Sequence, residues 1–311
     1  MTGERPSLNA QRGVLLALGT AAISGLSVYL NAFGVKLVPD AAVYTTAKNG
    51  VAAIILIGLA LAFGAAREAS VLDGRRRGGL LAIAVIGGSI PFVLFFSGLA
   101  IATAPTAAFI HKTLFIWVAL MAVPLLGERI GLIQVAAVGV LLAGQALVAP
   151  PTGVSWGAGE TMITAATLLW SAEVVLAKRL LVGVSAPLLG AARMGLGFVV
   201  LVGYLAVSGR LGGLGAISAE ALLWIVVTGA LLAGYVATWF SALRLAPATS
   251  VTSVLVAGAV VTGVLSSLSS GAAPDPRVVL GYLLIVTAVA LVVASARRFG
   301  RLDATRAYAE G

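Results

Sequence analysis

Ten stretches of the chain are apolar almost without interruption, and each is long enough to cross the hydrocarbon core of a bilayer. They fall at roughly 13–35, 41–63, 79–99, 102–125, 130–149, 158–181, 186–208, 219–240, 247–268 and 278–296. About 20 helical residues cover the ~30 Å of hydrocarbon. In lipid every backbone N–H and C=O must be satisfied inside the segment, so runs of this length are expected to be helices. The connections are short, PPTG at 150–153 among them, and leave no room for a soluble domain. The leading MTGERPSLNAQR has no small-residue cleavage site behind it and is expected to be a retained tail rather than a signal peptide. The pattern predicts an all-α integral membrane protein of ten transmembrane helices.

Composition agrees and narrows the picture. Of the residues, 60% are hydrophobic and 10% charged, with a mean hydropathy of +1.09, whereas soluble domains carry about 25% charged residues. The absence of cysteine removes disulfides, thiolate metal sites and cysteine nucleophiles. The net charge of +9 would suit nucleic acid, but its distribution follows the membrane. With the N-terminus inside, 14 Lys and Arg lie in cytoplasmic segments, among them Arg75, Arg76 and Arg77, against 3 (Lys36, Arg210, Arg277) outside. That is the positive-inside bias, and it predicts an inner (plasma) membrane protein with both termini cytoplasmic. No nucleic-acid partner is expected.

The chain also repeats itself. FFSGLAIA at 95–102 and WFSALRLA at 239–246 share Phe96/Phe240, Ser97/Ser241, Leu99/Leu243 and Ala102/Ala246 at an offset of 144. The same offset pairs TAA at 20–22 with TAA at 164–166 and Ser27 with Ser171. A five-span unit copied in tandem must enter the bilayer from the opposite side the second time. Inverted repeats of this kind place a transporter's substrate site near the midplane, between the halves. The expected units are 13–149 and 158–296, followed by a basic cytoplasmic tail at 297–311.

SGLAIATAPTAAFI, then LLGER at 125–129 and VGVLLAGQALV at 138–148, resemble the end of the repeat in the drug/metabolite transporter superfamily, specifically its EamA-type exporters. The resemblance covers essentially the whole chain. It implies that spans 1–4 and 6–9 enclose a central cavity, with spans 5 and 10 peripheral. It also implies export of small metabolites, amino acids (aromatic ones included) being the leading class. The second half departs from the pattern, since SSGAAPD stands where Gly127-Glu128 would recur.

Charged side chains inside spans are expensive and mark function. Lys48, His111, Lys112, Glu173 and Arg193 lie well inside. Glu173 can pair with Lys178 or Arg193, and Lys48 and Arg193 can also snorkel toward an interface. Lys112 is too central for that and is expected to contact a substrate carboxylate. His111, about 100° round the helix from it, serves either a structural hydrogen bond or proton transfer. Thr20, Ser24, Ser27 and Asn31 share one helical face, and Glu160, Thr164, Thr167 and Ser171 repeat the stripe. Both suit an aqueous cavity, or else interhelical hydrogen bonding. Trp170 is expected to form an aromatic wall, with Tyr44 among the lining residues. Pro91 is a mid-span hinge candidate; Pro105 and Pro247 fall near the starts of spans 4 and 9.

No GxxxxGK[ST] or HExxH occurs, and the lone His111 offers no serine–histidine arrangement, so neither an ATP-driven engine nor a hydrolase is expected, and no cofactor. The sequence therefore predicts a secondary transporter working by alternating access. Cationic drugs and phosphorylated sugars are the alternative substrates, and a membrane scaffold or sensor is the reading without transport. The expected partners are a small molecule carrying a carboxylate and the lipid bilayer, with a homodimer left open.

Overall fold

The computed structural model describes residues 6–150 and 156–309. Its helices are α1 (Pro6–Gly34), α2 (Ala41–Ala62), α3 (Ala65–Ser70), α4 (Gly74–Ile86), α5 (Ile90–Leu99), α6 (Ala104–Lys112) and α7 (Leu114–Leu126) in the first half. α8 (Leu132–Val148), α9 (Ala158–Leu180), α10 (Ala186–Val207), α11 (Ala219–Leu245), α12 (Ala248–Leu255), α13 (Gly258–Ser270) and α14 (Pro276–Ala309) follow. Among the described residues nine helical stretches are long and apolar enough to cross a membrane. The fifth span is the short one: α8 has 17 residues, about 25 Å of helix. The helix of the tenth span runs on to Ala309, so the expected basic tail is helical as far as it is described.

Short polar side chains start these helices by taking up the unpaired N–H groups of the first turn. Asp40 accepts from Ala42 N at 2.8 Å, Ser185 from Leu188 N at 3.3 Å and Ser218 from Ala221 N at 3.2 Å. Two ends require glycine. Gly127 and Gly271 close α7 and α13 in the left-handed region, at φ of 68° and 66°. They lie one repeat apart, so the duplication persists in the backbone where Glu128 does not recur.

Three spans are interrupted. The fourth breaks at Thr113, between α6 and α7, and the ninth between α12 and α13, at equivalent positions of the two halves. Thr113 Oγ1 donates to Ile110 O at 2.6 Å, a back-bond that bends helices. The third span breaks at residues 87–89, between α4 and α5, whereas its counterpart α11 is continuous. The third span is interrupted at Gly87-Gly88-Ser89, directly before Pro91 in the first turn of α5; Pro91 is the i+4 neighbour of Gly87 and has no N–H to give its carbonyl. Pro105 sits in the first turn of α6, where a missing N–H loses nothing, and Pro247 is the N-cap of α12.

Packing follows the duplication. α1 lies on α11 as α5 lies on α9; α2 packs on α10, α7 on α12 and α8 on α14. Glycine lets the last pair meet closely: a Cβ at Gly144 would lie 2.8 Å from Gly281 O, and one at Gly281 would lie 2.8 Å from Gly144 O. The fifth and tenth spans are thereby joined to each other, and neither lines the central space described next.

Candidate functional site

A cavity of about 210 Å³ lies between the halves, lined from α1 by Ser24, Ser27 and Val28, from α5 by Phe92, and from α6 by His111. The second half supplies Trp170, Glu173, Arg193, Tyr235 and Trp239. Its chemistry centres on one ion pair. Arg193 Nε donates to Glu173 Oε1 at 2.6 Å and Nη2 to Oε2 at 3.2 Å, with the side chains 8% and 4% exposed. Both groups face the cavity, so two opposite charges are presented side by side with almost no water around them.

The break in the third span is built against this pair. A Cβ at Gly87 would collide with the Glu173 carboxyl, and one at Gly88 with the Arg193 carbonyl oxygen. Trp170 Nε1 donates to Gly87 O at 3.1 Å, satisfying a carbonyl that the interrupted helix leaves without its usual partner. Aromatic rings surround the charges: Phe92 meets Trp170 edge to face at 5.3 Å and lies 5.9 Å from the Arg193 guanidinium, while Tyr235 stacks on Trp239 at 5.9 Å.

Several expected residues lie elsewhere. Lys112 does not line this cavity. Successive helical residues diverge by about 100°, and Lys112 faces a smaller space of about 30 Å³ beside Thr252 and Val256, which shares His111, Leu114 and Leu255 with the central cavity. It makes no hydrogen bond or ion pair among the described residues. The His111 ring packs on Trp170 at 5.0 Å and Phe95 at 5.2 Å, and its Nδ1 has no partner. Lys48 donates to Asn31 Oδ1 at 3.2 Å and sits over the Tyr44 ring. Tyr44 O–H bonds Asn31 at 3.1 Å and lies 3.0 Å from the Thr228 hydroxyl. Asn31 donates back to Ser27 O at 2.6 Å. These three form a network behind the cavity wall.

The polar stripes divide similarly. Ser24 and Ser27 reach the cavity, while Thr20 bonds Thr238 across the helix pair at 2.9 Å. In the sixth span Thr164, Thr167 and Ser171 donate to carbonyls of their own helix, and Glu160 caps its first turn through Gly157 N at 3.0 Å. That stripe holds its own helix together, and Ser171 stays off the cavity.

The chain matches the EamA-like transporter family twice, over residues 11–149 and 157–294. It belongs to that family. EamA-like proteins are membrane transporters of small molecules, not enzymes. Among curated proteins, none matches the chain in sequence. One solved crystal structure aligns at TM-score 0.75 and 17% identity, over 93% of this chain and 99% of the other, which is a likeness of fold.

Within this EamA frame the two ends of the bundle differ. At the end where α1 starts, side chains tie the halves together. Glu128 accepts from Ala248 N at 2.6 Å, Thr249 N at 3.1 Å and Thr249 Oγ1 at 2.8 Å, capping α12 from 120 residues away. Arg179 donates to Leu125 O at 2.6 Å and Glu68 accepts from Ser185 N at 2.7 Å, while Lys178 stays within the second half, donating to Leu243 O at 2.5 Å and Ala246 O at 2.7 Å. At the opposite end a space of about 430 Å³ lies beside Asp40 and Arg210. Sequence reasoning singled out Glu128 as unduplicated without finding its partner, and it passed over Phe92, which nothing in the run IPFVLFF distinguishes from its neighbours.

Proposed function

We propose that this chain is a secondary transporter that exports amino acids, aromatic ones foremost, across the inner membrane by alternating access. The observation that carries the reading is the Glu173–Arg193 pair in a cavity walled by Phe92, Trp170, Tyr235 and Trp239. An amino acid brings an ammonium and a carboxylate a few ångströms apart. Glu173 retains acceptor capacity for the first, and Arg193 Nη1, whose one protein contact is Met194 Sδ at 3.3 Å, retains donors for the second. The aromatic faces suit a flat side chain.

Charge balance weighs against the alternatives. With Lys48 and Lys112 outside its lining, the cavity holds one carboxylate and one guanidinium, already paired, beside the His111 imidazole. A phosphorylated sugar would bring two negative charges to a single engaged arginine. A cationic drug would strand Arg193 when it took Glu173. The zwitterion exchanges one pair for two and leaves no charge unpaired. Basic residues gather at the end where α1 starts, which supports a cytoplasmic placement for that end. The ties made there by Glu128, Arg179 and Glu68, with the space beside Asp40 at the other end, support an outward-facing state.

Thermal unfolding of the detergent-solubilised protein against a panel tests the reading. L-Tryptophan and L-phenylalanine should raise the midpoint, while choline and glucose 6-phosphate should not. Stabilisation by glucose 6-phosphate with none by any amino acid would refute it.

A further inference from the structure

The space at the outer end is larger than the central one, about 430 Å³ against 210 Å³, and pockets that take drug-sized ligands run from about 300 Å³ upward. Phe92 is the residue that lines both. Its ring meets Trp170 and the Arg193 guanidinium on one side and the outer space on the other. It stands on the first turn of α5, directly after the Gly87-Gly88-Ser89 interruption. The two spaces therefore adjoin at the Phe92 side chain.

The outer chamber repeats the chemistry of the inner one with different residues. Arg210 Nη1 lies 3.5 Å from Asp40 Oδ2, with side chains 43% and 34% exposed. These charges are hydrated, and each keeps bonding capacity for a ligand. Arg210 also donates to Tyr204 O–H at 3.1 Å and packs its guanidinium 5.4 Å from that ring. Phe92 and Phe96 supply further aromatic walls, and Thr45, 2% exposed, lines the chamber with its hydroxyl unpartnered. An acid and a base side by side, among aromatic faces, again suit a zwitterion with a flat side chain.

We propose that the outer chamber is a second binding site for aromatic amino acids, filled in series with the central cavity and separated from it by Phe92. The proposal rests on the reading of the central cavity given above. Because the outer pair is hydrated, its site is the weaker of the two, as suits a station on the way out.

The chain has no cysteine, so single thiols report each chamber cleanly. Ser97→Cys reports the outer chamber and Ser24→Cys the central one. Labelling by a small maleimide is followed with increasing L-tryptophan in detergent micelles, in each variant with and without Arg210→Gln. L-Tryptophan should slow labelling at both positions, with a higher half-protecting concentration at Ser97→Cys. Arg210→Gln should raise that concentration at least tenfold while moving the one at Ser24→Cys by less than threefold. Protection at Ser24→Cys with none at Ser97→Cys would make the outer chamber a mere passage and overturn the proposal alone. Identical half-protecting concentrations, unmoved by Arg210→Gln, would also overturn it, since a single site then shields both thiols. Protection at Ser97→Cys alone would make the outer chamber the sole site, overturning both the filling in series and the central reading, and protection at neither would remove both.

Discussion

Replacing Glu173 with glutamine leaves Arg193 charged, 8% exposed and without its carboxylate. Removing one partner of a buried pair costs about 3–5 kcal/mol, because the remaining charge keeps its desolvation penalty. The glutamine oxygen can still accept from Arg193 Nε, which lies 2.6 Å from Glu173 Oε1, so a loss at the lower end, about 3 kcal/mol, is expected. Adding Arg193→Met removes the stranded charge and keeps an apolar stem of similar length, and should return most of that loss. The rank order is then parent, double variant, single variant. Thermal midpoints of the detergent-solubilised proteins, followed by tryptophan fluorescence, read it directly. At about 2–4 °C per kcal/mol, the figure for chains of 150–250 residues, a loss of about 3 kcal/mol should make Glu173→Gln melt about 6–12 °C below the parent. A midpoint within about 1 °C of the parent, or a double variant less stable than the single one, would refute the reasoning.

Lys112→Met should leave L-tryptophan affinity within about threefold, since the lysine faces the small space beside Thr252; equilibrium binding reads this, and a tenfold loss would restore Lys112 to the site. Glu128→Gln removes the charge from three hydrogen bonds to α12 and should weaken closure at that end by about 1.5–3 kcal/mol. Labelling of Ser250→Cys, 1% exposed in the parent, should then rise at least tenfold, and an unchanged rate would contradict the tie. Gly74→Cys and Gly212→Cys, both in open space, should be labelled in intact cells by an impermeant reagent at Gly212 only; labelling at Gly74 would invert the orientation. His111→Asn should retain exchange, because the ring makes edge contacts and no hydrogen bond among the described residues, and abolished exchange would make it part of the proton path.

The spans and their duplication were legible because each rests on a local property, either a run of apolar residues or a shared offset. The interruptions were not. Proline drew the reading to Pro91, which directly follows the break and has no N–H for Gly87 O, but the break also depends on Gly87 and Gly88 meeting Glu173 and the Arg193 backbone, a tertiary fact. Glu173 had two basic candidates at sequence level. Arg193 became its partner because Lys178, five residues further along α9, is taken by carbonyls of Leu243 and Ala246. Lys112 was favoured for its depth, but depth does not give direction, and the residue beside it faces the cavity. The sixth-span stripe had the same periodicity as the first, and hydroxyls bonded within one helix look no different in sequence from hydroxyls turned to water.

The most direct test of the account is counterflow. Proteoliposomes loaded with unlabelled L-tryptophan and diluted into labelled L-tryptophan should show a transient overshoot with the parent protein. Glu173→Gln/Arg193→Met, expected to fold, should show none, and neither choline nor glucose 6-phosphate inside should drive uptake. An overshoot that survives the double substitution would contradict the account, as would counterflow driven by glucose 6-phosphate and by no amino acid.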